Sequence, residues 1–593
     1  MRQRLLNWLC LGGVFIGLVI LVTPLSFGIK AVAEKFVTES KVLPPGELPF
    51  YESDNYKWAT WAKTGGTIDT SELQIGQNPI LIQWASPNRI YLKTLYQVGE
   101  WLSPNRGGNL ALFFSMPILL VIGGALLSAI SIFYLNDRFT GIVLPLSMGA
   151  IPAIYTQMFA SRPDHHGLIL ILSALFVLSL TQKDNQNGKI LHIQGIISGL
   201  IAALALWVST VSFIPILGVF SIGLALGSLQ IKAQLKPIQE INLAYESPIF
   251  WKYWSYTVVA LGFIFWLVDY SYRGFHMEVI NPLWLLSIGA GGLFLRQILE
   301  PKTNKIQALI WLALAALGPL ACTQESLFWT RSAEVVAFHK DVFELAPGKT
   351  TDYILLMPFG FIALTLAASV TSMRWLILGA VLASTLYLWQ VRWLPIAIIP
   401  AVIVACRAYT LSRQNPLKPV IAALFTLQLF WTGSSTIQEG LKNISQKQDT
   451  PETFKLASYS AILKNELAKL PEGHIIGTPN LTAYIHYFTG RKAVGSVYWE
   501  SKENMGAAAK ILSAPPSKDA WAKAWLRKHG IKYIVLTPQL FSSPYQGDGD
   551  AIAQSLEYRI ITGKSPNWVK EILRIQEPWP GLILARITNI GEK

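Results

Sequence analysis

The chain has 593 residues, of which 52% are hydrophobic and 14% charged, with a formal net charge of +14. Soluble domains carry about 25% charged residues, so this composition excludes a water-soluble fold for most of the length. The basic excess comes with no DNA-binding or RNA-binding motif. It matches the Lys and Arg bias of cytoplasmic loops in membrane proteins, and no nucleic acid partner is expected.

Arg2 and Arg4 precede an apolar run at 8–29, behind which Ala31-Val32-Ala33 resembles a signal-peptidase site. The run is longer than the roughly 7–15 residues of a secretory core, so the first helix is expected to be retained. Further runs long enough to cross a bilayer fall near 109–135, 140–158, 167–182, 193–209, 211–229, 252–270, 282–298, 306–322, 353–371, 374–390, 392–408 and 418–435. The reading is a polytopic α-helical membrane protein with about thirteen spans, occupying residues 1–437.

With the N-terminus placed in the cytoplasm, every inside segment carries positive charge: Arg2 and Arg4; Arg138; Lys183 and Lys189; Lys232 and Lys236; Arg296, Lys302 and Lys305; Arg374; and Arg407, Arg413 and Lys418. This is the positive-inside pattern, and an odd number of spans then puts residues 438–593 outside. Two outer loops, 30–108 and 323–352, are long, which is uncommon unless such loops are functional. The first holds amphipathic stretches around Asn55–Lys63 and Ile90–Leu102.

In 438–593, His474–Thr478, Lys492–Tyr498 and Ile531–Thr537 read as strands, and Leu481–Phe488, Asn504–Ser513 and Lys518–His529 as helices. This alternation predicts a soluble α/β domain with a partly parallel sheet. Cys10, Cys322 and Cys406 form no CxxC pair, so neither a disulfide framework nor a zinc site is indicated.

Four groups on the expected outer side can carry chemistry. Ser161-Arg162-Pro163-Asp164-His165-His166 precedes a span. Asp164 there can simply cap the helix, or Asp164 and His166 can offer an oxygen and a nitrogen to one divalent cation such as Mn²⁺. Asp54, in Glu52-Ser53-Asp54-Asn55-Tyr56, begins the first amphipathic stretch, as a solvated acid, a cap or a site residue. Glu334 lies in Thr330-Arg331-Ser332-Ala333-Glu334-Val335. Arg392, in Trp389-Gln390-Val391-Arg392-Trp393, interrupts apolar sequence, where a charge is either functional or snorkels at a helix end.

These residues, in this order and on one side, resemble the catalytic subunit of oligosaccharyltransferases, the PglB and AglB group of GT-C membrane glycosyltransferases. Asp54 is similar to the family's first acidic motif, and Asp164-His165-His166 to the archaeal form of its second. Glu334 is similar to the glutamate of its late outer loop, and Arg392 to the arginine that meets the lipid-linked phosphate. Asn281-Pro282-Leu283 and Phe488-Thr489-Gly490-Arg491-Lys492 are further local likenesses.

The resemblance implies a divalent metal, Mn²⁺ or Mg²⁺, held by Asp54, Asp164 and His166, with His165 behind them. It also implies catalytic roles for Asp54 and Glu334, a polyprenyl-linked sugar donor at the phosphate of which Arg392 stands, and a protein or glycan acceptor in contact with membrane lipid. One departure stands out. Where the family has WWDYG, which contacts the Ser or Thr of a glycosylation sequon, this chain reads Thr478-Pro479-Asn480-Leu481-Thr482. A GT-C enzyme modifying a glycolipid or envelope glycan therefore competes with transfer to protein. A transporter or scaffold is the alternative of another class, and would show internal repeats and paired broken helices, which are not visible here.

Overall fold

The computed structural model describes residues 2–41, 43, 47–50, 53–65, 72–75, 86–183, 188–232, 243–271, 277, 279–325, 364, 373–389, 394–411, 416–445, 452–477, 479–495, 502–537, 549–575 and 581–588. In chain order its first helices are α1 (Arg2–Ser40), α2 (Ser53–Thr64), α3 (Ser86–Leu102), α4 (Gly107–Phe113), α5 (Ser115–Ala129), α6 (Arg138–Ala150), α7 (Pro152–Tyr155) and α8 (His166–Leu180). There follow α9 (Gly188–Lys232), α10 (Pro248–Asp269), α11 (Pro282–Leu299), α12 (Lys305–Glu325), α13 (Arg374–Trp389), α14 (Leu394–Leu411) and α15 (Lys418–Ser445).

Among the described residues, six helical segments are long and apolar enough to cross a membrane: 3–40, 115–134, 190–227, 282–299, 394–411 and 418–443. Shorter apolar helices at His166–Leu180, Lys305–Ala321 and Trp375–Leu386 lie among them. Their outward faces carry large exposed side chains such as Phe15, Ile122, Leu309 and Phe430, as lipid-facing helices do. α14 is instead buried along nearly all its length and forms the centre of the bundle.

The run expected at 140–158 is broken. α6 stops at Ala150 and Ile151 is extended (φ −79, ψ 119) before Pro152 opens α7, because proline disfavours helical geometry in the residue before it. The expected pair 193–209 and 211–229 forms one run, α9, whose helical geometry fails at Ser209 (φ −160, ψ 95). The run expected at 353–371 falls almost wholly outside the described residues.

One end of the bundle is tied by a buried ion pair. Arg407, near the end of α14, bonds Asp137 Oδ2 at 2.6 Å, Thr181 Oγ1 at 3.1 Å and the Thr181 carbonyl at 2.9 Å. Asp137 also accepts from Thr140 N and Thr410 Oγ1, each at 2.9 Å. Arg407 is thus buried and neutralised rather than a loop charge. Arg138 joins α1 at the same end through Asn7 Oδ1, at 2.8 Å.

The remainder follows α15: α16 (Glu452–Ala468), β1 (His474–Gly477), α17 (Pro479–Thr489), β2 (Ala493–Val494), α18 (Lys502–Leu512), α19 (Asp519–Lys528) and β3 (Ile531–Leu536). It closes with α20 (Gly549–Gln554), α21 (Leu556–Ile561), β4 (Val569–Ile575) and β5 (Leu582–Ile587). The sheet order is β2-β1-β3-β5-β4, with the first three strands parallel and the last two joined antiparallel. Side chains alternate across it. Ile475, Tyr533, Val535, Leu582 and Leu584 pack toward the helical bundle with Tyr484 and Leu463, while Ile476, Ile534, Leu536 and Ile583 pack on α18, α19 and α21.

The first outer loop extends this sheet. Glu72 bridges Ala493 in parallel fashion and Leu73 N donates to the Ala493 carbonyl at 3.0 Å, beside β2. Glu72 is buried and pairs with Lys57 of α2, and Asn504 of α18 donates to Glu72 Oε2 at 3.0 Å and to the Leu73 carbonyl at 2.9 Å.

Candidate active site

The segment before α8 is held in an unusual path. Ser161 sits at φ +76, a region costly for a residue with a side chain. Two bonds keep it there: its amide donates to the Phe113 carbonyl at 2.7 Å, and its hydroxyl donates to the Pro49 carbonyl at 3.1 Å. Arg162 is buried and donates to the Thr156 carbonyl at 3.0 Å. The chain is thereby turned so that Asp164 and His165 point into the protein, each 5% exposed.

The residue at the cap position of α8 is His165, whose side chain makes no capping bond. Asp164, just before it, accepts the His165 backbone N–H on Oδ1 at 2.5 Å. The same oxygen meets His165 Nδ1 at 2.6 Å, and Oδ2 lies 3.4 Å from His166 Nε2. The two imidazoles stack, with centroids 4.4 Å apart. One ligand atom from each of the three residues falls within 4.8 Å of the others, the single such group of His, Cys, Asp and Glu among the described residues. Burial pushes the Asp164 carboxyl up. His166, His165 and the Arg162 guanidinium more than reverse this and hold it well below the usual carboxylate range. A carboxylate with two imidazoles is a donor set that can hold a divalent metal ion.

Asp54 lies in the first turn of α2 and is partly exposed. One turn on, and so on the same face, is Trp58, whose ring centroid is 5.8 Å from that of His165. α2 is therefore seated against the motif by a tryptophan, with Asp54 on the side that faces it. Asp54 is not one of the three clustered ligands, whereas His165, expected behind them, is. Glu334 and Arg392 lie outside the described residues.

The other side of α2 is covered by α17. Tyr56 has Tyr484 and Tyr487 at centroid distances of 4.4 and 5.1 Å, with Phe488 at 5.7 Å. Tyr487 Oη accepts from Lys63 at 2.6 Å and from Asn109 at 3.2 Å. Burial, followed by the neighbouring phenol of Tyr484, pushes the Tyr56 hydroxyl up, so it stays neutral. Thr482, within the stretch that replaces WWDYG, is buried and donates to the Gly495 carbonyl at 2.5 Å.

No family model matches the sequence, and no curated protein matches it at a significant level. Solved structures do match. The archaeal oligosaccharyltransferase AglB from Archaeoglobus fulgidus, in complex with an inhibitory peptide and a dolichol-phosphate, is similar over 100% of this chain and 75% of that chain, with a TM-score of 0.63 at 11% identity. The fold is AglB-like. The complex of the A. fulgidus enzyme with Zn and sulfate has a TM-score of 0.58 at 13% identity, covering 95% of this chain and 72% of that one. The form tethered by a disulfide to an acceptor peptide containing the NVT sequon has a TM-score of 0.58 at 11% identity, over 93% and 73%. The AglB likeness extends through both the helical bundle and the C-terminal sheet, since it covers the whole of this chain.

Sequence reading had no means of finding Trp58, Arg162 or the Lys57, Glu72 and Asn504 group as supports of the site. Each depends on a partner brought in by folding. A Trp one turn after a candidate acid was the one local signal present.

Proposed function

We propose that this chain is a membrane glycosyltransferase. It transfers a sugar or oligosaccharide from a polyprenyl phosphate or pyrophosphate carrier to an acceptor at the outer face of the membrane. The observation that carries the reading is the group of buried Asp164 and His165 with half-buried His166, with the helix of Asp54 seated on it, at the end of an AglB-like bundle. AglB structures with a dolichol-phosphate, with Zn and with an acceptor peptide support a donor, a metal and an acceptor of these classes.

In this proposal Asp54, Asp164 and His166 hold Mn²⁺ or Mg²⁺, and His165 fixes the Asp164 carboxylate or adds its own nitrogen. A bound divalent ion offsets the charge that develops on a phosphate leaving group. Arg392 gives that phosphate a fixed positive charge and a planar set of donors. Asp54 or Glu334 orients the acceptor nucleophile or takes its proton. The site-bearing end of the bundle and residues 438–593 face outward, and the end with Asn7, Asp137 and Arg407 faces the cytoplasm.

A second acceptor class is favoured by a specific observation. The stretch 478–482 lacks WWDYG, and the helix it opens is engaged with α2 through Tyr484, Tyr487 and Phe488. This supports a glycolipid or envelope glycan as acceptor rather than a sequon. Purified protein incubated with a lipid-linked glycan and Mn²⁺, with a sequon peptide and a sequon-free glycan offered side by side, separates the two. Product on the glycan is expected; product on the peptide overturns the acceptor assignment. Asp164→Ala is expected to abolish transfer to either, and undiminished turnover would sink the catalytic reading.

A further inference from the structure

Among the described residues, Asn7, Asn55, Asn88, Asn109, Asn281 and Asn504 are buried asparagines. Four of these use their side chains: Asn7 accepts from Arg138, Asn109 from Leu48 N and Asn281 from Trp284 N, and Asn504 donates to Glu72. Asn55 and Asn88 differ. Each is 0% exposed, and neither the Oδ1 nor the Nδ2 of either has a hydrogen-bond partner. An amide shut off from water with both ends unpaired costs the desolvation of a donor and an acceptor. A native fold that keeps such a group calls for an explanation, and a bound ion is one of the few available.

Of the two, Asn55 stands on the helix that is seated against the candidate site. Asp54 and Asn55 lie four and three positions before Trp58, so at 3.6 residues per turn both stand one turn before it, on either side of its line. The Trp58 ring meets that of His165, with centroids 5.8 Å apart. Other sides of α2 are already engaged: Tyr56 packs on Tyr484 and Tyr487 of α17, and Lys57 pairs with Glu72. The chain entering α2 is tied to the motif as well. The Pro49 carbonyl accepts from the Ser161 hydroxyl at 3.1 Å, and Phe50 N donates to Tyr56 Oη at 3.0 Å, which folds this entry onto the start of the helix. Asn55 is thus a buried, uncommitted amide in the first turn of a helix held at two points to residues 161–166.

We propose that Asn55 Oδ1 is a ligand from α2 to the divalent ion of this site, beside Asp54, Asp164 and His166. The inference rests on the proposed metal role of Asp164 and His166. An amide carbonyl belongs to the oxygen donors that Mn²⁺ and Mg²⁺ take. At the other end of the amide Nδ2 is a donor, and carboxylates in the same shell are acceptors. Size favours an ion over a water as the partner. Mg²⁺ stands about 2.1 Å from its oxygen ligands, a hydrogen-bonded water about 2.8 Å, and solvent does not reach this amide. The likeness to the oligosaccharyltransferase motifs points to Asp54 and gives Asn55 no role. Burial without a partner, on this helix, is what assigns it one.

Calorimetric titration of Mn²⁺ into the full-length, metal-free protein in detergent tests the assignment, with Asn55→Leu and Asn55→Asp beside the parent chain. Asn55→Leu keeps the size of the side chain and should bind Mn²⁺ about tenfold or more weakly. Its metal-free melting temperature should equal or exceed that of the parent, because an unpaired amide is removed. Asn55→Asp should bind at least as tightly as the parent, since a carboxylate oxygen replaces the amide oxygen. Equal Mn²⁺ affinity in Asn55→Leu and the parent would overturn the proposal and leave the metal role of Asp164 and His166 standing. A lower metal-free melting temperature in Asn55→Leu would mark a structural role and overturn it too. So would weakened binding by Asn55→Asp, which decides the matter if the leucine variant does not fold. Absence of Mn²⁺ binding by the parent chain would end the metal role of the whole site, and this ligand with it.

Discussion

Trp58 and His165 face one another with ring centroids 5.8 Å apart, and this contact sets α2, which carries Asp54 in its first turn, against the motif that contains Asp164. The helix that carries Asp54 is thereby held by an aromatic pair against a motif 110 positions further along the chain.

Trp58→Phe keeps an aromatic ring at this contact and is expected to retain most transfer activity. Trp58→Ala opens a cavity of the kind that costs about 3–5 kcal/mol and frees Asp54 from its position. Metal affinity and turnover should both fall by an order of magnitude or more in whatever fraction folds. Calorimetric Mn²⁺ titration of the two variants beside the parent chain checks this; equal affinities would show that Trp58 positions nothing.

The Asp164 carboxyl is held below its ordinary range in the folded chain. A depressed folded value means that its contribution to stability is fully present above the unfolded value of about 3.9. It is lost only as pH falls from there through the folded value. The stability gap between the parent chain and Asp164→Asn should therefore narrow as pH falls below about 3.9, the value for a free carboxyl. Thermal unfolding in metal-free detergent solution across that range measures it. A gap that already closes near neutrality would contradict the depressed value.

Lys57 and Glu72 are buried to 1% and 2% side-chain exposure and pair with each other. Removing one partner strands a charge, at about 3–5 kcal/mol, whereas replacing both with apolar residues of similar size is often close to neutral. Glu72→Ala should thus destabilise more than the double variant Lys57→Met with Glu72→Leu. Melting temperatures of the three proteins give the order, and an additive result would show that the pair is not coupled.

Arg407→Met should also cost about 3–5 kcal/mol by leaving Asp137 buried without its counter-charge. Because this pair lies at the opposite end of the bundle from the candidate site, turnover per folded molecule should not change. Activity normalised to the folded fraction tests the separation, and a fall in that normalised rate would mean that the two ends are linked.

The long apolar runs were legible because a bilayer leaves a chain few alternatives to apolar helices of a fixed length. Asp164, His165 and His166 were legible because they are contiguous, so no fold was needed to bring them together. The groups that hold the site were not, since Lys57 meets Glu72 and Asn504, and Asp269 meets Ser86 and Trp207, only after distant segments pack. β4 went unread because its apolar alternation is interrupted by Lys570, Glu571 and Arg574. The break at Ile151 was written in Pro152, but an unbroken apolar stretch hid it.

Glu72 and Leu73 close the β2 side of a sheet that is otherwise made from the last quarter of the chain, and Leu73 and Asn504 stand 431 positions apart. The ribosome therefore makes the edging of this sheet long before the sheet itself, and the loop must wait for most of the membrane helices before its partner exists. Closure over so long a separation is slow and comes late. A fragment starting at residue 438 would lack that edging. It would present bare β2 backbone together with the apolar face formed by Tyr484, Tyr487 and Phe488, and such surfaces join to copies of themselves.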